Sequence, residues 1–343
     1  ARGETPNPCV FCNRGAKFPL LLEKADRLSL PFIATGHYAK KEYDPASGRH
    51  YLRRADDEQK DQTYVLWSLG QEALARCLFP MGTMKKSDVR SLAAKRSLLS
   101  AVRPESQDIC FVPDGDYAAF LERTLGLRAE PGDFTDLEGN VLGRHRGLLR
   151  YTIGQRRGLG VSAAARLFVL EKNMEKNTVV LGPPEALFSK RMEVRGVNWM
   201  AVAPPAGELR AQVKARYRQE AQPARIVPLS EDRALVEFDA AQRAVTAGQS
   251  AVFYDGDVLL GGGFIASKDG EKLCAWKGAF WFEADSCGRC HARHASARGG
   301  GACRVCRSEA VCLRSACRAD AFGGGALCEK IQGLSGAAAL SGG

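Results

Sequence analysis

Residues 18–38 read FPLLLEKADRLSLPFIATGHY, and they contain the clearest local pattern in the chain. The apolar spacing from Phe18 to Leu30 predicts a helix. The run from Phe32 to Thr35 predicts a short strand that ends at the loop Gly36-His37-Tyr38. A helix, a strand and then a loop of polar side chains is the order typical of an α/β sheet, so we expect an α/β fold.

A second helix is predicted further along the same region. Residues 84–99 place apolar side chains at helical spacing, and Ser87 stands where an N-cap is expected. Beyond Pro113 the pattern changes, because Gly-rich turns separate short strands from about residue 131 to 185. Two alternating segments, Leu167–Glu171 and Thr178–Leu181, are joined across polar residues, which favours a small, mostly β, central domain.

From Met192 to about Ser267 the sequence predicts one short strand after another, which suggests a small barrel. Asp255-Gly256 predicts a tight hairpin between the last two strands, since glycine tolerates the positive φ of such turns. Gly261-Gly262-Gly263 fits a tight barrel turn better than a phosphate loop, because no helical pattern follows it.

These changes of pattern divide the chain into four parts. We expect an α/β domain over residues 1–112, a central domain over 113–188 and a C-terminal β-barrel over 189–284. The remaining residues, 285–343, are rich in Cys, Gly, Ala and Arg and predict disorder, an artefactual extension or a zinc-binding appendage.

Composition narrows the class of protein. The 343 residues are 45% hydrophobic, enough for two or three packed domains, and the formal net charge of +10 favours a polyanionic partner such as nucleic acid. Residues 1–30 lack the pattern of a signal peptide, and the apolar stretches are short, so we expect a cytoplasmic protein without membrane contact.

The 12 cysteines fall into two groups, four up to Cys110 and eight from Cys274 onward. Cys12 and Cys110 lie in the loops Asn7–Asn13 and Glu105–Phe111. A thiolate is a strong nucleophile that can also hold a terminal sulfur as a persulfide, so two converging thiols could deliver sulfur and then close a disulfide. Inert packing is the alternative for each, because a free cysteine is often simply buried.

Six short motifs occur in one order along residues 1–270 and together resemble the tRNA-uridine 2-sulfurtransferases, which are the tRNA 2-thiouridylases of bacteria and mitochondria. These motifs are TPNPCVFCN at 5–13 with Lys17-Phe18, ATGHY at 34–38, KDQTY at 60–64, SQDICF at 106–111, YTIGQR at 151–156 and GGG at 261–263. The resemblance implies a partial adenine-nucleotide α-hydrolase-like domain, of the PP-loop ATPase type, in residues 1–112.

The resemblance also implies a reaction, the ATP-dependent 2-thiolation of the wobble uridine of tRNA. ATP with Mg²⁺ adenylates the C2 oxygen, and an upstream persulfide protein supplies sulfur. Cys110 matches the persulfide carrier, and Cys12 matches the nucleophile that releases the sulfur and is left in a Cys12–Cys110 disulfide. Gly36 matches an ATP contact. The positions that match tRNA contacts are Asn7, Pro8, Cys9, His37, Lys60, Asp61, Gln62, Arg216, Tyr217 and Gln249.

The sequence departs from the family pattern in two places. The Ser-Gly-Gly-x-Asp-Ser loop that holds ATP phosphates is absent, so we expect an N-terminally truncated form that does not adenylate tRNA by itself. Cys9 stands where some relatives have aspartate. Cys9, Cys12 and Cys110 could therefore be either two redox thiols with a bystander or the ligands of an iron–sulfur cluster.

Other functions remain open at this point. Cys287, Cys290, Cys303 and Cys306 have the paired spacing of a zinc site. A non-catalytic RNA- or zinc-binding protein would use the same charges and cysteines without a reaction. A related PP-loop thiolase would keep the fold and modify a different base.

Overall fold

The computed structural model of the chain describes residues 4–101, 110, 112, 115–126, 128–163 and 165–267. All elements below lie within this part. Its architecture is mixed α/β, with a helical N-terminal segment, a small four-stranded sheet and a closed six-stranded barrel.

The N-terminal segment begins with one continuous helical run. Helix α1 spans Pro8–Cys12, a π-helical turn spans Asn13–Lys17, and helix α2 spans Phe18–Arg27, close to the predicted helix. The π-helical turn is fixed to a distant segment, because buried Asn13 donates from Nδ2 to the Val65 carbonyl over 2.9 Å. Such turns inside α-helices are frequent at functional sites.

Two short pairs of strands follow. Strand β1, Ile33–Ala34, pairs in parallel with β4, Cys77–Leu78, and strands β2, Lys40–Asp44, and β3, Arg49–Arg53, form an antiparallel hairpin. Helix α3, Gln71–Arg76, leads directly into β4. The expected strand at Phe32–Thr35 is therefore confirmed, whereas the hairpin was not predicted.

Helix α4 spans Lys86–Lys95, but its predicted cap is wrong. The N-cap position is Lys85, and Ser87 already lies inside the helix. The amide of Lys86 instead donates to the Asp57 carboxylate over 2.9 Å. An acidic side chain 29 residues earlier thus binds a free amide of the first turn, which also suits the helix dipole.

The central domain begins with helix α5, Tyr117–Leu125, which Asp116 caps and Gly126 ends in the left-handed conformation. Four strands then form one sheet in the order β6-β5-β8-β7. Their bounds are Gly132–Thr135 for β5, Val141–His145 for β6, Phe168–Asn173 for β7 and Thr178–Gly182 for β8. The predicted pair of alternating segments is confirmed as the β7–β8 hairpin.

Six strands close into the predicted barrel, in the order β13-β10-β11-β12-β9-β14 with β13 pairing back to β14. Their bounds are Phe188–Trp199 for β9, Leu209–Lys214 for β10, Gln222–Ser230 for β11, Arg233–Arg243 for β12, Ser250–Asp255 for β13 and Val258–Ser267 for β14. Buried alanines and larger apolar side chains share the interior, as in small barrels generally. The hairpin expected at Asp255-Gly256 joins β13 to β14.

Gly261-Gly262-Gly263 is not a turn, contrary to the prediction. The three glycines lie inside β14, which pairs with β13 on one side and β9 on the other. A Cβ on Gly261 would lie 2.2 Å from the Asn198 carbonyl oxygen, and one on Gly263 would lie 2.5 Å from a Val194 methyl. Neighbouring strands approach this part of β14 so closely that only glycine fits.

The N-terminal segment and the barrel share one sheet. Strand β3 pairs with β14, so the β2–β3 hairpin extends the barrel sheet to eight strands. Buried hydrogen bonds strengthen this junction, since Trp67 donates from Nε1 to Ser250 Oγ over 2.9 Å and Tyr64 donates to the Ser250 carbonyl over 2.9 Å. The relative position of these two parts is therefore fixed by backbone pairing and by a common core.

Candidate active site and nucleic-acid interface

A cleft of about 1150 Å³ lies between the N-terminal segment and the barrel. Gly36 and the loop Lys60-Asp61-Gln62 line one wall, and Tyr217 lines the other. Six cationic side chains and three carboxylates line the cleft, so its surface favours an anionic ligand. Four residues of the N-terminal segment that were predicted to contact ATP or tRNA line this cleft, namely Gly36, Lys60, Asp61 and Gln62.

Cys9, Cys12 and Cys110 are free thiols, and the Cys12 and Cys110 thiols both lie near enough to Cys9 to interact with it by charge. Cys9 and Cys12 are one helical turn apart in α1, on the same face. Burial, followed by the nearby Cys110 and Cys12 thiols, raises the pKa of the Cys9 thiol, and Lys17 opposes this. Although Cys9 is solvent-exposed overall, protein atoms crowd one side of it, and Cys110 is close enough for its charge to act there.

Contacts on either side of α1 hold these thiols in place. The Asn7 side chain accepts a hydrogen bond from the Cys9 amide over 3.0 Å, and Pro8 occupies the first helical turn, where no amide donor is needed. Phe11 stacks on Phe264 of β14 with ring centres 4.8 Å apart. Asn7 and Pro8, predicted to contact tRNA, therefore begin the helix that presents Cys9 and Cys12.

Gly36 and His37 have different surroundings although they are adjacent. A Cβ on Gly36 would meet no atom within 4 Å, so the cleft reaches its backbone. His37 is buried, accepts or donates a hydrogen bond at 2.9 Å between Nδ1 and Thr35 Oγ1, and stacks on Phe18. Burial, with Lys17 as a second cause, lowers the pKa of His37 to about 4, so the ring is neutral at pH 7.

The loop Lys60-Asp61-Gln62 is held in shape by its own polar groups. Asp61 accepts from the Thr63 hydroxyl over 2.6 Å and from the Ala55 amide over 3.2 Å. Burial raises the pKa of Asp61 above its usual value, and these hydrogen bonds counteract that effect. The Gln62 side chain accepts from the Tyr38 amide over 3.0 Å. Asp61 and Gln62 thus fix the loop that presents Lys60 to the cleft.

The three predicted contacts in the barrel have different surroundings: one lines the cleft, and two form hydrogen bonds within the structure. Tyr217 lines the cleft, and its hydroxyl donates to the Asp61 carbonyl over 3.4 Å. Arg216 is occupied internally, because its guanidinium donates to two carbonyls and to a hydroxyl, those of Ile153, Ala244 and Thr246. Gln249 donates from Nε2 to the Thr5 carbonyl. Arg216 and Gln249 therefore connect parts of the structure around the cleft.

Sequence reasoning missed five of the six cleft cations, namely Arg54, Lys86, Arg90, Lys214 and Arg218. Lys214 is two residues before the Arg216-Tyr217 motif, so the alternation of a strand could have placed it beside the site. Lys86 lies in the first turn of α4, with its ammonium 5.4 Å from the centre of the Tyr38 ring. Nothing local in the sequence indicates Arg54, which reaches the site through the β3–β14 pairing.

Within the part of the chain that the structure describes, no group of three His, Cys, Asp or Glu residues is arranged to hold a metal ion. Cys9, Cys12 and Cys110 are therefore not placed as a set of cluster ligands. The candidate zinc ligands Cys287, Cys290, Cys303 and Cys306 lie outside the described residues. None of the helices described is long and apolar enough to cross a membrane.

Comparison with known proteins places this architecture in one class. Three family models match consecutive segments: a tRNA methyl transferase HUP domain over residues 1–114, a tRNA methyl transferase PRC-barrel domain over 118–183 and an aminomethyltransferase beta-barrel domain over 189–265. The chain is thus a multidomain protein with an α/β domain of the HUP type, a PRC-barrel domain and a β-barrel domain.

Curated relatives narrow this class. The tRNA-specific 2-thiouridylase MnmA 1 of Caldanaerobacter subterraneus subsp. tengcongensis is 46% identical over 267 residues, which are 78% of this chain and 73% of that protein. The corresponding enzymes of Desulfitobacterium hafniense and Clostridioides difficile are 45% and 44% identical, over 77% of this chain and 74% and 73% of theirs. The chain belongs to the tRNA-specific 2-thiouridylase family.

Proposed function

We propose that this protein replaces the C2 oxygen of the wobble uridine of tRNA with sulfur, in the cytoplasm. The observation that supports this best is that the Cys12 and Cys110 thiols both lie near enough to Cys9 to interact with it by charge, in a chain whose relatives are named tRNA-specific 2-thiouridylases. The cationic cleft supports it further, because an RNA backbone requires positive charge along its path.

The proposed sulfur transfer uses two of the thiols. A persulfide protein delivers a terminal sulfur to Cys110. The Cys12 thiolate attacks the Cys110 sulfur of this persulfide, so that a Cys12–Cys110 disulfide forms and hydrosulfide leaves. Hydrosulfide attacks C2 of the adenylated uridine, AMP departs with the former C2 oxygen, and loss of a proton gives the thiocarbonyl. A thiol reductant must then open the disulfide before the next turnover.

The other predicted residues have supporting roles in this proposal. Gly36 admits the nucleotide, since no side chain occupies the cleft at that point. Lys60, Tyr217 and the start of α1 would contact the tRNA. Mg²⁺ would arrive with the phosphates of ATP, which suits an ion that keeps most of its ligands as water and phosphate.

A three-thiolate iron–sulfur site has less support. The three cysteines do not form a ligand group in the described structure, and the raised pKa of the Cys9 thiol disfavours the thiolate that a cluster requires. No step of the proposed reaction depends on such a cluster.

The proposal is tested by nucleoside mass spectrometry of unmodified tRNA after incubation with ATP, Mg²⁺ and a persulfide donor. The 343-residue chain is assayed beside the same chain with the family's Ser-Gly-Gly-x-Asp-Ser segment placed before Ala1, because the sequence contains no such motif. We expect 2-thiouridine when the segment is present. Its absence in both samples, with ATP converted to AMP and the tRNA bound, would contradict the proposal.

Replacing Gly36 by alanine should weaken nucleotide binding without destabilising the fold. The new methyl group meets no protein atom within 4 Å and projects into the cleft. We expect a change of less than about 0.5 kcal/mol in the free energy of unfolding. In the chain that carries the added Ser-Gly-Gly-x-Asp-Ser segment, the dissociation constant for ATP should rise about tenfold, measured by titration calorimetry. Gly70→Ala is the matched control, because that position is equally open and lies outside the cleft; equal ATP affinities in the two variants would refute this role.

His37→Gln should make the free energy of unfolding depend less on pH below pH 6.5. The folded pKa of about 4 lies below the ordinary value of 6.5, so the unfolded chain takes up a proton that the folded chain does not. This difference is absent above pH 6.5 and destabilises the fold as the pH falls toward 4, by up to about 3 kcal/mol. Urea unfolding at pH 7 and pH 4.5 should show a smaller loss for the variant. Equal losses would mean that His37 is protonated in the fold.

A further inference from the structure

Lys214 forms no ion pair in the described part of the chain. It ends strand β10 on the wall of the cleft, and its ammonium lies 5.7 Å from the centre of the Tyr217 ring and 5.9 Å from that of Tyr64. Two aromatic faces fix the position of this cation. Asp61 interacts by charge with Lys214 and with Arg54, and its carboxylate accepts hydrogen bonds from Thr63 and Ala55.

Arg54 is a second cation of this kind on the same cleft. Its guanidinium carbon lies 4.2 Å from the centre of the Tyr254 ring, which fixes the plane of the group. Its backbone amide donates to the Asp257 carbonyl over 2.8 Å. Nevertheless, Nε and Nη2 are buried and donate no hydrogen bond within the residues described. A guanidinium held in this way is costly unless an acceptor arrives.

Neighbouring arginines do not share this feature. Arg53, the preceding residue, pairs with Glu42 and Asp257 at 2.9 Å and 2.6 Å. Arg216, two residues after Lys214, donates to three internal oxygens. Arg54 and Lys214 differ from these two neighbours, because both line the cleft and neither forms an ion pair within the described residues. Glu58 and Glu220 also line the cleft, and within the described residues neither forms an ion pair with Arg54 or Lys214.

We propose that Arg54 and Lys214 form an anion subsite that binds a phosphodiester of the RNA in this cleft. Arg54 would supply donors in a fixed plane, which suits two phosphate oxygens, and Lys214 would supply a point charge. The proposal rests on the proposed action on tRNA and assigns one part of that recognition to the backbone. ATP presents the same phosphate chemistry, so the test has separate arms for the two ligands.

The test measures binding of an unmodified anticodon stem-loop RNA to the 343-residue chain over a range of salt concentrations. Arg54→Met and Lys214→Met should each reduce the slope of log K against log salt by about 0.7 to 1, because one phosphate contact is lost. Arg54→Lys and Lys214→Arg should retain most of the slope. Arg210→Met is the control, since Arg210 pairs with Asp239 on the exposed barrel surface. Thermal melting verifies folding, and Gln replaces Met if a Met variant unfolds.

Three results would overturn the proposal. Unchanged slopes in both Met variants, with RNA still bound by the wild type, would exclude the subsite and leave the proposed function intact. Weaker ATP binding with unchanged RNA binding would assign the two cations to the nucleotide. A wild-type chain that binds no RNA at all would contradict both the subsite and the proposed action on tRNA.

Discussion

Replacing Cys12 by serine should abolish 2-thiouridine formation, with a loss of more than about 10²-fold, because a hydroxyl cannot attack a persulfide at neutral pH. The persulfide should then accumulate on Cys110, and no hydrosulfide should be released. Peptide mass spectrometry detects the extra sulfur on Cys110, and a sulfide assay measures the release. Cys110→Ser should be equally inactive, but the peptide that contains position 110 should carry no persulfide.

Cys9→Ser is the matched control for these two variants. Cys9 lies in the same helix as Cys12, and its raised pKa keeps it protonated. The two-thiol reaction predicts activity within about threefold of the wild type, since neither step of sulfur transfer uses the Cys9 thiol and serine keeps a polar group of similar size at the start of α1. Loss of activity in Cys9→Ser equal to that in Cys12→Ser would contradict the two-thiol reaction and would support a site built from all three sulfurs.

Gly261→Ala should destabilise the barrel by about 3 kcal/mol, because the new methyl group would lie 2.2 Å from the Asn198 carbonyl oxygen, on backbone that cannot easily move. Strands β14 and β9 would have to separate where they now pair. The melting temperature should fall by roughly 6 to 12 °C, measured by circular dichroism.

The control for this change is Gly207→Ala, a position with no atom within 4 Å of the added methyl group. We expect its melting temperature to remain within about 2 °C of the wild type. If Gly261→Ala were as stable as Gly207→Ala, the close approach of the strands would not restrict this position to glycine.

Local patterns in the sequence were sufficient for most of the elements. Apolar spacing located α2, alternation located the β7–β8 hairpin, and the Asp255-Gly256 step located the turn between β13 and β14. Each of these signals depends on residues a few positions apart. The cap of α4 could not be found in this way, because the acceptor belongs to Asp57 in a different loop.

The glycine run shows a second limit of local reasoning. Three consecutive glycines favour a turn when only backbone freedom is considered. In the structure they are required by the strands and by Trp67 on either side, which leave no space for a side chain. The same limit applies to Arg216, since a basic residue beside a tyrosine suggests an RNA contact, whereas its three acceptors come from distant segments.

The joint sheet formed by β3 and β14 has a consequence for how the molecule comes apart. Residues 189–267 prepared alone would expose Tyr254 and Leu259, which now pack against Leu52 and Tyr64 in a common core. A fragment of that kind would offer an unpaired strand edge and a wet apolar face, both of which promote aggregation. The N-terminal segment and the barrel therefore behave as one cooperative folding unit, so that a change that destabilises either part destabilises both.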